Sequence, residues 1–215
     1  MAQIHLSSIG WLCCRVVLAV VAGYLLGSLP IGYLVGKAWG VDVRLHGSGR
    51  TGTTNVWRAT KRVFPALLTV LGDVLKGIVA VLMARYLLHS ELAAAAAGSA
   101  AVMGHNWSVA LGWRGGAGGM TAGAALAALS PTAAALVIPL AIVALYLSRY
   151  ASVGTLTVAI GGALMLGVLA LLAPSSHVLS GHVAFGVLSA AAVIIALRPN
   201  LKRLLAGNER RIDLW

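Results

Sequence analysis

Seven apolar stretches punctuate the chain, at 11–38, 65–88, 92–111, 119–129, 132–148, 153–173 and 178–197. Runs of this kind predict helices in a bilayer, where a full crossing takes about 20 apolar residues. A closed β-barrel would alternate apolar and polar positions, and no such alternation is present. The pattern therefore predicts an all-α, polytopic membrane protein with about seven transmembrane or half-membrane helices, a single integral membrane domain over 1–215. Segment 119–129 is too short for a full span and stops at Ser130-Pro131, so it predicts a short or tilted helix hairpinned to the next. The Ala93–Ala97 run, Gly98, Gly161 and Gly162 predict faces on which helices pack closely. The apolar run beginning at 11 encloses Arg15 and continues past Leu26, unlike a cleaved signal.

Charge sharpens this picture. Only 10% of residues are charged, against about 25% in soluble domains. The net charge is +11, and its basic residues gather in a few loops. Arg44, Arg50, Arg58, Lys61 and Arg62 lie in 39–64, and Arg198, Lys202, Arg203, Arg210 and Arg211 in the tail. Arg114 and Arg149 mark two further loops, while those near Ser90, Ser130 and Pro174 carry no Lys or Arg. Lys and Arg favour the cytoplasmic side. An outside N-terminus and seven crossings place all four basic loops in the cytoplasm, so the two counts agree. A basic chain also invites nucleic acid as partner. The aromatics do not interleave with a basic face, and nucleic acid is not expected. Adjacent Cys13 and Cys14 suit neither a disulfide nor a metal and are expected to be small apolar side chains.

Three loops predicted on that one face carry candidate chemistry, at about 44–58, 104–119 and 198–209. In the first, Gly47, Gly49 and Gly52 allow close backbone approach, and Ser48, Thr53, Thr54 and Asn55 supply neutral donors. Arg58 follows Thr54 by four residues, so a helix starting there presents both on one side. The second holds His105, a candidate general base or phosphate donor, then Arg114 and the run Gly115-Gly116-Ala117-Gly118-Gly119, an anion nest or a tight turn. The third is basic and carries Asn200. Arg149 and Ser152 add a cation and a hydroxyl beside them. Asp73 and Lys76, three residues apart within a span, can pair; a functional and a structural role are equally compatible with the sequence. His177 and His182 fall near the opposite face, and no role is assigned to them. No Walker loop, H-x-x-x-x-D signature or metal-ligand spacing is present. Together these loops predict a phosphate-handling site at the bilayer surface. A transporter of a phosphorylated solute would need polar residues along a transmembrane path, and beyond Asp73 and Lys76 the spans offer almost none. A non-catalytic lipid-binding subunit is the third possibility.

The linked G-S-G-x-x-G-x-T-N-V-x-R and G-H…G-G elements resemble the bacterial acyl-phosphate:glycerol-3-phosphate acyltransferase family. The resemblance covers nearly the whole chain. It runs through Tyr24–Tyr33, His46–Arg58, Asp73–Gly77, Gly104-His105, Gly115-Gly116, Arg149–Ser152 and Asn200–Glu209. It implies a small seven-helix enzyme of phospholipid biosynthesis in the bacterial inner (plasma) membrane, with its active site on the cytoplasmic face. The implied partners are acyl-phosphate, glycerol 3-phosphate and the lipid bilayer, with no cofactor and no metal. Ser48, Thr54 and Arg58 match the family's first-loop substrate residues and, with His105 as the rival general base, are the candidate catalytic residues. Gly49, Gly52, Asn55, Gly115, Gly116, Ser152 (or Thr155) and Asn200 are implied to bind substrate. Two positions depart from the pattern: Ala117 stands where the family usually has Lys, and Leu197 where it has His. Arg50 and Arg114 are the candidate replacement cations. A different acceptor, or an inactive relative, are the other readings of these departures.

Overall fold

The computed structural model describes residues 2–173 and 177–212. Ten α-helices and no strand occur among the described residues: α1 (Ala2–Gly27), α2 (Ile31–Ala38), α3 (Thr53–Thr60), α4 (Val63–Leu88), α5 (Glu91–Asn106), α6 (Gly119–Leu129), α7 (Pro131–Ser148), α8 (Ala151–Leu172), α9 (His177–Ala196) and α10 (Arg198–Leu205). Every predicted apolar segment is helical, with two differences. Segment 11–38 breaks at Ser28-Leu29-Pro30, because proline donates no hydrogen bond and turns the preceding residue away from helix. Segment 92–111 ends early, at Asn106. Beyond it Ser108 donates to the carbonyl of Ser28 at 2.6 Å, tying the end of α5 to the break between α1 and α2.

Among the described residues four helices are long and apolar enough to cross a membrane, Gly10–Ala38 counting as one, and a fifth if the bent pair α9–α10 is a single span. With 11 residues, α6 reaches only about 16 Å, roughly half of the hydrocarbon core. It stops where Ser130 receives the amide of Ala133 and Pro131 opens α7, the hairpin expected from the sequence. The outer surfaces of the long helices expose Leu18, Leu71, Leu140 and Leu171, as a lipid-facing surface requires.

At the centre stands α5, with 12 of its 16 residues buried. Its alanines let neighbours come close. A side chain at Gly23 or Gly27 of α1 would overlap the backbone of Ala97 or Ala101. Such contacts between small residues hold helices together where lipid removes the hydrophobic drive. Cys13 and Cys14 carry free thiols on the exposed side of α1.

The four basic loops meet at one end of this bundle. Thr51 donates to Gly115, Arg50 to Gly116 and Ala196, and Ile212 to Arg149, so hydrogen bonds join all of them. The Ser90 and Ser130 turns lie at the other end, next to the Arg85–Glu91 pair and His182. The Pro174 loop and the side chain of His177 lie outside the described residues.

Candidate active site

The first loop is built around Asn55. Its side-chain amide donates to the carbonyls of Val43 (2.8 Å) and Arg50 (2.7 Å), while its oxygen accepts the Ser48 amide at 3.0 Å. Gly47 and Gly49 take φ values of +53° and +70°, conformations that glycine adopts without strain. Asn55 was expected on the substrate; its bonds show that it shapes the loop that displays Ser48. Before it, the Asp42 carboxylate caps the Val43–Leu45 turn and is held well below the usual carboxylate range, chiefly by its hydrogen bonds to the Arg44 side chain.

The second loop packs on His105. Gly116 donates to the His105 carbonyl at 2.9 Å, and a side chain on Gly116 would collide with the imidazole. The opposite edge of that ring places Nδ1 3.4 Å from the Asp73 carboxylate, which also meets Lys76 at 2.9 Å. Lys76 reaches the Leu29 carbonyl at the helix break as well. Asp73 and Lys76 are only 2% and 5% exposed, and their pairing offsets much of the cost of such burial. The glycine turn is thus seated on a buried Asp–His–Lys cluster.

The third element bends by 64° between α9 and α10. Asn200 and Arg203 hold Glu209, each at 3.1 Å, and so turn the tail back toward the bundle. Arg58 donates to the carbonyls of Arg210 and Arg211, clasping that tail against α3. Arg50 reaches inward instead, donating to the carbonyls of Gly116 and Ala196. Burial pulls its pKa below the ordinary guanidinium value, and the nearby Arg203 charge adds to this.

These elements enclose a cavity of about 450 Å³. Its polar end is lined by Ser48, Arg50, Thr54, Arg58, Ser152 and Asn200. Its other end runs between α4, α6, α7 and α8 past Ile78, Ala127, Ile138, Ile142 and Val158. Residues from the first turns of four helices line it: Thr53 and Thr54 of α3, Gly119 and Met120 of α6, Ala151 and Ser152 of α8, and Asn200 of α10. Each helix start brings unpaired amides and a partial positive charge, a setting for oxyanions. The hydroxyls of Thr53 and Ser152 and the Asn200 side-chain oxygen are buried there with no hydrogen-bond partner among the described residues.

Of the residues expected at the site, Ser48, Arg50, Gly52, Thr54, Asn55, Arg58, His105, Ser152 and Asn200 line the cavity, as does Thr155. Gly49, Gly115, Gly116 and Arg114 do not. Gly115 and Gly116 act one layer back, through their contacts with His105, Thr51 and Arg50. Arg114 is exposed, because the Trp107–Trp113 turn directs it away from the cavity. Gly118 of the predicted glycine run and Glu209 at the end of the Asn200–Glu209 stretch also line the cavity, as does Arg210, although none of the three is named as a substrate residue from the sequence. A glutamate nine residues beyond Asn200 is the one signal that pointed to the folded-back tail. No group of three or more His, Cys, Asp or Glu that could hold a metal occurs among the described residues.

The chain is similar in sequence and fold to known proteins. The family model described as glycerol-3-phosphate acyltransferase matches residues 17–207. A glycerol-3-phosphate acyltransferase of Rubrobacter xylanophilus is 42% identical over 199 residues, covering 91% of this chain and 94% of the relative. Glycerol-3-phosphate acyltransferase 1 of Deinococcus radiodurans is 40% identical over 195 residues, 91% of this chain and 94% of its own. Among solved structures, the glycerol 3-phosphate form of PlsY (YgiH), an integral membrane glycerol 3-phosphate acyltransferase, superimposes with a TM-score of 0.79 at 31% identity, over 92% of this chain and 95% of that one. Its lysophosphatidic acid form gives 0.78.

Proposed function

Because the chain belongs to the glycerol-3-phosphate acyltransferase family of integral membrane enzymes, we propose that it moves a fatty acyl group from an acyl-phosphate to the 1-hydroxyl of glycerol 3-phosphate, giving lysophosphatidic acid and phosphate. The observation that carries this reading is the continuity of the cavity. One end gathers hydroxyls, guanidinium groups and four helix starts, and the other is an apolar groove among membrane helices. An acyl-phosphate has the same polarity, an anionic head on an apolar tail. With its head at Ser48 and Arg58 the tail lies in the groove, where each buried CH₂ contributes about 0.8 kcal/mol. The similar PlsY has glycerol 3-phosphate and lysophosphatidic acid forms, an acceptor and a product of this reaction.

The chemistry needs no acyl-enzyme. The C1 oxygen of the acceptor attacks the acyl carbonyl carbon, forming the ester bond. The bond from that carbon to the phosphate oxygen breaks. The phosphate leaves with the electron pair and takes up the hydroxyl proton. The protein's part is to hold two phosphates, align hydroxyl and carbonyl, and stabilise the developing charge. Ser48, Thr54, Arg58, Ser152 and Asn200 supply side chains for this at the polar end. His105 is the rival base. Its ring is held between the Asp73 carboxylate and Gly116, a position suited to supporting the glycine turn, which favours the proton's passage to the leaving phosphate.

Purified protein given acyl-phosphate and glycerol 3-phosphate is expected to release phosphate and lysophosphatidic acid. Passage of glycerol 3-phosphate into proteoliposomes without turnover would replace the acyltransferase reading with a transporter. We also place the N-terminus outside, the C-terminus inside and the cavity mouth at the cytoplasmic face of the bacterial inner membrane, supported by the meeting of the basic loops at one end. On a background lacking Cys13 and Cys14, a cysteine at Ser90 should label from outside and one at Asn208 only after permeabilisation. The reverse accessibility would invert the assignment.

A further inference from the structure

Ala117 and Leu197, the two positions where the chain lacks an expected cation, both line the cavity. The Arg50 guanidinium donates to the carbonyls of Gly116 and Ala196, the residues immediately before each of them. One guanidinium from the first loop is therefore anchored between the two positions where the resemblance would place a cation. A lysine at 117 or a histidinium at 197 beside it would add like charge at close range. The small side chain of Ala117 and the neutral one of Leu197 remove that conflict.

Arg50 also lines the cavity, and Glu209, an acid whose charge reaches it, is already held by Arg203 and Asn200. Among the described residues no carboxylate lies within 4.0 Å of it, whereas Arg203 is paired to Glu209 at 3.1 Å. Two of the guanidinium's N–H donors are spent on carbonyls, and the others remain for a ligand. A half-buried cation without an ion pair among the described residues and with fixed donors suits a phosphate anchor, since a guanidinium can bind two oxygens of one phosphate at once. The two carbonyls hold it in place before any ligand arrives, so little side-chain entropy remains to be lost on binding.

We propose that Arg50 is the cation that holds the phosphate of the acceptor, glycerol 3-phosphate. The inference rests on the acyltransferase reading for the identity of the acceptor. Arg114, exposed and outside the cavity, has no part in it.

The test uses the purified full chain, with turnover and calorimetric binding of glycerol 3-phosphate measured separately. Arg50→Gln should raise KM for glycerol 3-phosphate at least tenfold, with KM for acyl-phosphate changing less than twofold, and should weaken glycerol 3-phosphate binding to the same degree. Arg50→Lys should fall between the two. Arg50→Gln also removes the tie between the glycine turn and α9. The double variant Arg50→Gln/Ala117→Lys therefore returns charge without restoring the tie. Recovery of glycerol 3-phosphate binding in the double variant supports the anchor. Loss in the single variant without recovery in the double makes Arg50 a brace and overturns the proposal, as does unchanged binding in Arg50→Gln. Absence of turnover in the wild-type protein would sink the acyltransferase reading, while the binding arms would still decide whether Arg50 holds the phosphate.

Discussion

The two ends of α4 carry similar ionic groups used in different ways. Toward one end Asp73 gathers Lys76 and His105; near the other Arg85 meets Glu91, which faces His182. The Arg85 side chain spends its donors on both Glu91 oxygens, at 2.6 and 2.8 Å, and on the Ala128 carbonyl, so charge and donors are matched and the group closes a helix turn. At the Asp73 end the pair is matched too, but it lies under a glycine turn and beside Arg50, whose guanidinium is answered by carbonyls. The surplus positive charge thus collects where four helix starts already favour an anion. Matched charge holds the bundle together; the cation that no ion pair answers, with matched charge beneath it, lines the cavity.

The sharpest way to break this contrast is at the polar end of the cavity. Ser48→Ala and Arg58→Ala should each lower turnover by about 10²–10³-fold, since each removes a preorganised donor from the polar end of the cavity. Size-exclusion behaviour should stay near wild type in both, and thermal unfolding in detergent should be unchanged in Ser48→Ala and modestly lower in Arg58→Ala, which also releases the tail carbonyls. Near-normal turnover in both would reduce the loop to a connector between α2 and α3.

Next in size is the buried pair beneath the site. Asp73→Asn leaves Lys76 charged and unpaired, and losing one partner of a buried pair costs about 3–5 kcal/mol. The expected result is a large fall in thermal midpoint, with much of it regained in Asp73→Asn/Lys76→Met. If the double variant is as unstable as the single, the pair is not the source of the loss.

The groove offers a finer test. Ala127 lines its apolar part, so Ala127→Leu should shift preference toward shorter acyl-phosphates, each methylene excluded being worth about 0.8 kcal/mol. An unchanged chain-length profile would place the tail elsewhere.

The smallest effect is expected at the far end of α4. Glu91→Gln removes a half-buried pair, worth at most about 1 kcal/mol. A modest drop in thermal midpoint with unchanged KM values is the expected outcome. A selective change in either KM would show that this end also communicates with substrate.

Much of the helix plan was legible because the bilayer imposes its demands locally. Apolar length, the Ser130-Pro131 stop and basic loops each show in a short stretch of chain. The break at Pro30 was less so, since the apolar run passes through it, and the structure reveals it by bonding Ser28 to Ser108. Candidate site residues were legible as types: glycines for close approach, hydroxyls and arginines for anions. Their roles were not. Asn55 reads as a donor, yet its amide is spent on its own loop. Arg114 and Arg50 read as equals, yet one faces away and the other is seated in the cavity.

By itself, then, the sequence determined that this chain is a bundle of membrane helices with basic, glycine-marked loops at one face, because hydropathy and charge act residue by residue along it. Only the tertiary structure decided which loops form one site. Arg50 meets Gly116 and Ala196 across 66 and 146 residues, and those meetings depend on how closely small-residue faces let α1, α5 and their neighbours approach. Steric fit between distant backbones is not written in any local pattern, and the position of a guanidinium between two carbonyls follows from that fit.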